Sequence, residues 1–263
     1  MHITRPLVSS VQVQRPLCSA SLFDLVIAPR HDYSRDSSVP PNVLLTDGSL
    51  HGIDAAALAT ARDTWEPRMA DHLPRPRLAL LMGGAVSRRL WQRQLAPPLT
   101  AQTVTTLLRS LARAAAAAGG SLVATASRRT PADVAARLDD EFRSASAAGL
   151  PTWLWRGEDP NPYMGFLACA DYLVVTADSV NMVSEACATG KPVYVVEPER
   201  CRGRFGAFHR MLLERGLTLP WADGALAPAE SWRGTPPDDM AQCVARVERL
   251  VRERHGAASE GAT

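Results

Sequence analysis

The sequence lacks the long apolar run that a membrane span requires. Of its 263 residues 46% are hydrophobic, yet no uninterrupted apolar run approaches the roughly 18 residues of a transmembrane helix. The longest apolar runs, 78–82 and 173–177, have the length of buried strands. The N-terminus, MHITRPLVSSVQVQRPL, also lacks the apolar core of a signal peptide. We therefore expect a cytoplasmic protein with no transmembrane segment.

The sequence also lacks a strong excess of charge of one sign. Its 29 basic residues oppose 27 acidic residues, a net charge of +2, whereas nucleic-acid-binding domains carry a marked basic excess on one face. We expect no nucleic-acid partner. Lys191 is the only lysine, and the abundance of Arg, Ala, Pro and Gly is typical of a GC-rich bacterial genome. An arginine therefore needs a second argument before it indicates a phosphate site.

Paired cysteine motifs are absent. The five cysteines include no C-x-x-C pair, and their number is odd. This pattern favours reduced, mostly buried thiols. It predicts neither a metal site nor a cofactor. The five residues are Cys18, Cys169, Cys187, Cys201 and Cys243.

What the sequence does contain is a regular alternation of short apolar runs and longer helical patterns. Five predicted strands, at 78–82, 121–126, 152–155, 172–176 and 191–196, alternate with helices. Such alternation predicts an α/β fold with a doubly wound parallel sheet. Pro74 and Pro76 interrupt the pattern and predict a linker. We expect a short, incomplete N-terminal α/β segment at 1–75, a Rossmann-like C-terminal domain at 76–255 and a disordered tail at 256–263.

Ligands of open parallel sheets bind beyond the carboxyl ends of the strands, and the most informative strand end lies in TADSVNMVSEACATGKPVYV (176–195). Asp178 or Ser179 would cap a helix, whose first amides at Val180 and Asn181 would attract a diphosphate. Glu185 could accept hydrogen bonds from both hydroxyls of a ribose. The alternative is an ordinary strand–helix–strand unit with a capped helix.

Three further strand ends carry residues that could bind the same ligand. Glycines after the first strand of this domain would let a phosphate approach the backbone, and arginines beside a helix start suit phosphate recognition. The alternatives are a loop with exposed arginines and a proline-rich turn with a packed tyrosine. The candidates are Gly83, Gly84, Arg88, Ser127, Arg128, Arg129, Asn161 and Tyr163.

The N-terminal segment offers a candidate catalytic pair, His31 and Asp32, at a strand end. A transfer reaction that deprotonates its acceptor needs a general base, and the alternative is a turn histidine with no catalytic role. We expect His209 and Arg210 to lie on the surface. The last helix has an apolar face and several arginines; it is predicted to pack on the core, with peripheral contact to anionic lipid as the alternative.

The 176–195 stretch resembles the nucleotide-sugar site of GT-B-fold proteins. Non-hydrolysing UDP-N-acetylglucosamine 2-epimerases have a similar T-D-S-x-x-x-x-E-E-A-x-x-x-G-K-P-V run, and Kdo transferases and lipid A disaccharide synthase have related runs. The resemblance implies a diphosphate on Ser179, Val180 and Asn181 and a ribose on Glu185. This sequence has Val180-Asn181 where the epimerases have two glycines.

A broader resemblance covers nearly the whole chain. It is carried by FDLVIAPRHD (23–32), NVLLTDGSLH (42–51), PRPRLALLMGG (74–84), SLVATASRRTP (121–131), EDPNPY (158–163) and DYLVVTADSVNMVSEACATGKPVYV (171–195). These stretches resemble the plant mitochondrial-fission proteins named for an elongated-mitochondria phenotype, together with their bacterial homologues. Typical members are longer at the N-terminus, so the resemblance implies that this chain lacks part of the first domain.

The two resemblances imply a GT-B-like fold and a nucleotide-sugar-binding function. The expected activity is a metal-independent glycosyltransferase that uses a nucleotide-diphosphate or CMP sugar and an unknown acceptor. Two alternatives stay open, a non-catalytic binding or scaffold protein and a nucleotide-sugar epimerase.

Overall fold

The computed structural model describes residues 8–34, 36, 38–84, 95–127, 130–222 and 224–260, with side chains of the last helix described through residue 254. The chain divides into two compact units. Unit 1 combines Met1–Leu50 with Pro237–Thr263, and unit 2 is His51–Pro236. These boundaries differ from the predicted ones at 75/76 and 255/256, and each unit is described separately below.

Unit 1 contains a three-stranded parallel sheet and the last helix of the chain. The strands β1 (Val11–Val13), β2 (Leu25–Pro29) and β3 (Val43–Thr46) pair in that order. Helix α7 (Asp239–Glu260) places Cys243 and Leu250 in a buried apolar cluster with Leu25 and Ile27. The Asp239 carboxylate accepts hydrogen bonds from the N–H groups of Asp47 and Gly48 at 3.0 Å. Unit 1 is therefore built from both ends of the described chain.

Helix α7 extends further than the sequence suggested. It ends at Glu260, whereas we predicted a disordered tail from residue 256. The segment 256–260 reads GAASE, and its two alanines have the highest helix propensity of any residue. A helix that is already formed can therefore propagate through this segment.

Unit 2 contains a six-stranded parallel sheet in the order β6-β5-β4-β7-β8-β9. The doubly wound parallel sheet predicted from the sequence is thus confirmed, with β9 as an additional short edge strand. The elements in chain order are α1 (Ala55–Met69), β4 (Arg77–Met82), α2 (Ala101–Ala117), β5 (Ser121–Ala126), α3 (Ala132–Ala147), β6 (Thr152–Trp155), α4 (Tyr163–Cys169), β7 (Tyr172–Thr176), α5 (Val180–Cys187), β8 (Val193–Val196), α6 (Gly203–Glu214) and β9 (Leu219–Pro220).

The central strand β4 is buried along its whole length. Its side chains alternate between the two faces, so Ala79 and Leu81 join one apolar cluster while Leu78, Leu80 and Met82 join the other. Burial on both faces explains why this strand reads as a continuous apolar run. Each fully buried leucine contributes about 1.5–3 kcal/mol to folding.

The proline-containing segment that we predicted as a linker is packed against unit 2. Leu73 is buried, and the buried Arg77 side chain donates to the Leu73 carbonyl at 2.7 Å. Arg77 also binds the Glu66 carboxylate of α1 at 2.8 Å. Because these contacts fix α1 to the six-stranded sheet, the boundary between the units precedes α1 rather than following it.

None of the helices in the described part of the chain combines the length and the apolarity that a membrane crossing needs.

Candidate functional site

The order of the strands places a crevice at the carboxyl ends of β4 and β7. The sheet grows from β4 toward β6 on one side and from β7 toward β9 on the other. The connections after these two neighbouring strands therefore diverge, which is the usual position of a ligand site in an open α/β sheet. Gly83 and Gly84 follow β4, and 177–179 follow β7.

Gly83 is held at the point where three strand ends meet. Its N–H donates to Thr176 Oγ1 at 2.8 Å, and its carbonyl accepts from Thr130 Oγ1 at 2.6 Å. A Cβ at Gly83 would lie 2.5 Å from Asp178 Oδ2, so no other residue type fits without displacing that carboxylate. The N–H of Ser127 donates to the Met82 carbonyl at 2.8 Å. The structure thus brings the predicted residues Gly83, Ser127 and Asp178 together.

Helix α5 begins immediately beyond this contact. Ser179 is its N-cap, and the Ser179 hydroxyl accepts a hydrogen bond from the Met182 N–H at 3.4 Å. Asp178 and Ser179 are buried, Val180 is half-buried and Asn181 is exposed. The first amides of a helix have no intrahelical acceptor and lie at the positive end of its dipole. The predicted diphosphate position is therefore a helix N-terminus at the crevice.

A tyrosine of α4 and a glutamate of α5 form a hydrogen-bonded pair. The hydroxyl of Tyr163, the first residue of α4, donates to Glu185 Oε2. Burial and the Glu185 carboxylate raise the pKa of the Tyr163 hydroxyl well above its ordinary value. The phenol therefore stays protonated and holds one oxygen of the carboxylate.

Asn161, one of the predicted donor-binding residues, has a local structural role. Its Oδ1 accepts the backbone N–H of Tyr163 at 3.0 Å, and its side chain is exposed. The hydrogen bond fixes the chain where α4 begins, and so it orients Tyr163. Contact between Asn161 and a ligand stays a prediction.

The sequence-based expectation for His209 was wrong. This side chain is 3% exposed, and its Nε2 lies 2.8 Å from the Ala177 carbonyl. Burial lowers the pKa of His209, which favours the neutral ring. The signal was available in the sequence, because His209 shares helical spacing with the buried residues Phe205, Phe208 and Leu212.

The sequence analysis did not identify Thr130 and Thr176 as residues that shape the site. Pro131 is the N-cap of α3, and no side-chain hydrogen bond caps that helix. Both threonine hydroxyls instead bind the backbone of Gly83. Arg88, Arg128 and Arg129 lie outside the described residues.

The predicted catalytic pair lies in unit 1, in a short 3-10 helix (Arg30–Tyr33) after β2. His31 is buried, and its Nε2 is 3.8 Å from Asp32 Oδ1. The carboxylate is therefore close enough to orient the imidazole.

Within the described residues, no group of three or more His, Cys, Asp or Glu side chains is arranged to hold a metal ion. Four of the five cysteines are buried, and all five are free thiols.

Fold and strand order together define a GT-B-like α/β protein. The family model "Mitochondrial fission ELM1" matches residues 3–251, so the chain belongs to this family. The Arabidopsis thaliana "Mitochondrial fission protein ELM1" is 36% identical over 93% of this chain and 58% of its own length. A Rickettsia prowazekii protein, "Uncharacterized protein RP120", is 38% identical over 27% of this chain and 20% of its own length. The chain thus spans about three-fifths of the Arabidopsis relative and a fifth of the Rickettsia one.

Among solved structures, the fold is similar to that of a UDP-GlcNAc 2-epimerase from Methanocaldococcus jannaschii. The TM-score is 0.53 at 11% identity, covering 87% of this chain and 63% of the epimerase. The likeness supports the shared fold of the two proteins.

Proposed function

We propose that this chain binds a nucleotide sugar at the crevice of unit 2 and transfers the sugar to an acceptor. The observation that carries the proposal is the Tyr163–Glu185 pair, because Glu185 belongs to α5, the helix that begins where the strand order reverses. A carboxylate held one helical turn or more behind a diphosphate position is suitably placed for a ribose. The structural neighbour named as a UDP-GlcNAc 2-epimerase supports the same ligand class.

In this proposal the diphosphate binds Ser179, Val180 and Asn181, and Glu185 accepts the ribose hydroxyls. Gly83 and Gly84 allow the phosphates or the sugar to approach the backbone. The helix dipole and nearby arginines stabilise the leaving diphosphate. The other proposed donor residues are Arg88, Ser127, Arg128, Arg129, Asn161, Tyr163 and Asp178.

A binding screen tests the site. We expect UDP, CMP, GDP or ADP, or one of their sugars, to bind by calorimetry, and a ligand at 100 times its Kd to stabilise the fold by about 2.7 kcal/mol. Replacing Glu185 with Gln removes a charged acceptor, and charge-assisted hydrogen bonds are worth about 1.5–3 kcal/mol, so affinity should fall roughly 10–100-fold. Glu214→Gln, an exposed glutamate of α6, is the matched control. A well-folded protein that binds none of these ligands would contradict the proposal.

Tyr163→Phe tests whether the Tyr163–Glu185 pair recognises the ribose, separately from the overall affinity for the nucleotide. Without the phenol, Glu185 is free to rotate, so the variant should lose much of the preference for a ribonucleotide over its 2′-deoxy analogue. The melting temperature without ligand monitors folding. An unchanged preference would mean that Glu185 does not read the ribose.

Two other functions have specific support, and assays of the reaction distinguish them from glycosyl transfer. The epimerase fold match favours epimerisation. The family is named for mitochondrial fission rather than for sugar chemistry, which favours a binding or scaffold role. A transferase releases nucleotide only when an acceptor is present, whereas an epimerase exchanges solvent deuterium into the sugar without one. A scaffold does neither. A cytoplasmic location stays a prediction, since the Arabidopsis relative is named for mitochondrial fission.

A further inference from the structure

A second concave surface lies between α1 and the edge strand β6. Its volume is about 410 Å³, and its lining includes Trp65, Trp153 and Trp155, half of the six tryptophans in the chain. This volume lies within the range of small-molecule sites, about 300–1,000 Å³. None of the lining residues is among the proposed donor-binding residues. We call this surface the tryptophan cavity.

The three indole rings are held in fixed positions. Trp153 packs against Trp65 with centroids 5.9 Å apart and meets Phe166 edge to face at 5.3 Å. The Trp155 Nε1–H donates to the Glu158 carbonyl at 2.5 Å. Trp65 is buried, whereas Trp153 and Trp155 are half-buried. Aromatic surface that is already ordered can bind a ligand without losing further side-chain freedom.

Charged side chains surround the rings. Arg68 and His72 come from the α1 side, and Glu158 and Asp159 come from the loop after β6. The Arg68 guanidinium lies over the Trp65 ring, 4.9 Å from its centroid. Glu158 Oε2 accepts the Arg156 N–H at 3.0 Å, which orients that carboxylate. One guanidinium and two carboxylates disfavour an anionic ligand, and together they offer both donors and acceptors.

The surroundings of β6 argue against a peptide partner. The Leu154 carbonyl accepts from Arg156 Nη1 at 3.4 Å, and Arg156 Nε is held by Asp139 Oδ1 at 2.5 Å. A charged side chain over an edge strand is a common protection against strand addition. An apolar helix would leave the charges of the cavity desolvated without partners, which is costly.

We propose that the tryptophan cavity binds a neutral carbohydrate of one or two sugar rings. The face of a pyranose carries apolar, weakly positive C–H groups that complement the negative face of an indole. Its edge carries hydroxyls, each of which donates and accepts hydrogen bonds and so matches Glu158, Asp159 and Arg68. The tryptophan cavity shares no lining residue with the proposed donor site, so this proposal does not depend on whether the chain binds a nucleotide.

The test titrates the full chain with maltose, cellobiose and N,N′-diacetylchitobiose up to 50 mM, followed by saturation-transfer NMR and tryptophan fluorescence. We expect saturable binding of at least one disaccharide in the presence of saturating UDP or its best-binding relative. Trp155→Ala should weaken it at least tenfold, and Glu158→Gln with Asp159→Asn at least fivefold. Glu214→Gln is the control, and thermal melts confirm that each variant folds.

Three results would overturn the proposal: no saturable binding of any of the three sugars, binding that a folded Trp155→Ala variant retains in full, or binding that a nucleotide sugar abolishes by competition. The last would place the sugar in the donor crevice. Because the glycan titration is read with the donor site filled or empty, failure of the nucleotide screen leaves this test intact.

Discussion

Lys191 joins α4 to the start of β8 through two hydrogen bonds. Its Nζ donates to the carbonyls of Leu167 and Ala168 at 2.6 and 2.7 Å. These carbonyls lie in the last turn of α4, where a cation is favoured by the helix dipole. Burial, followed by the nearby Arg62 charge, lowers the pKa of Lys191 to about 8. The one lysine of the chain is therefore a structural residue with an unusual proton affinity.

Because no other lysine is present, selective labelling reports on this ammonium directly. With 15N-lysine, we expect a single side-chain Nζ signal that titrates near pH 8 rather than near pH ~10.4. Between these two values the unfolded chain binds the proton and the folded chain does not, so the unfolding free energy should increase with pH across this window.

Lys191→Met supplies the control, since the difference in unfolding free energy between parent and variant isolates the lysine from the buried thiols. Urea unfolding of both proteins at pH 7 and pH 9.5 gives that difference. A midpoint above pH 10, or a difference independent of pH, would contradict a burial-driven shift.

At the scale of elements, the loop after β4 can approach the loop after β7 closely because Gly83 has no side chain. Gly83→Ala would place a methyl group 2.5 Å from the buried Asp178 carboxylate. Overpacking of this kind costs about 1–3 kcal/mol, and moving Asp178 should also distort the start of α5. We expect lower stability in urea unfolding together with loss of nucleotide affinity.

Gly52→Ala is the matched control for this substitution. A Cβ at Gly52 meets nothing within 4 Å, so its unfolding free energy should stay within about 1 kcal/mol of the parent. A Gly83→Ala variant as stable as Gly52→Ala, with unchanged nucleotide affinity, would show that the two loops are not closely coupled.

The elements that the sequence alone predicted correctly are those marked by a short apolar run of neighbouring residues. Strands β5, β6 and β7 match the predicted residues, because each is a short apolar run bounded by Gly, Pro or polar residues. Strands β1 and β9 were not predicted, since they have three and two residues and exist through pairing with β2 and β8. The Tyr163–Glu185 pair joins residues 22 apart through the packing of two helices, which no local pattern encodes.

At the scale of the whole molecule, the division into units does not follow chain order. Helix α7 shares a core with strands from the start of the chain, and helical periodicity gives no indication of which sheet an amphipathic helix will cover. The prolines at 74 and 76 misled the prediction, because their effect on the backbone is independent of whether the segment is packed. Strand alternation, by contrast, predicted the parallel sheet of unit 2 correctly.

Nucleotide binding and catalysis can be tested by separate substitutions, because the residues proposed for each lie in different units. The proposed donor residues lie in unit 2, whereas His31 and Asp32 lie in unit 1. If His31 is the general base, His31→Ala should slow turnover of the donor found by the screen by about 10²–10⁴-fold and leave the nucleotide Kd unchanged. Asp32→Asn should slow it less, because Asp32, 3.8 Å away, would act by orienting the imidazole.

Asp36→Asn is the matched carboxylate control for this experiment. It removes a surface ion pair with Arg15, and such pairs contribute little to stability, so turnover should match the parent. Single-turnover kinetics and calorimetry on the same preparations separate rate from affinity. A variant pair that binds and turns over the donor like the parent would exclude both His31 and Asp32 as the base. Loss of nucleotide affinity in His31→Ala would instead contradict its assignment as the general base.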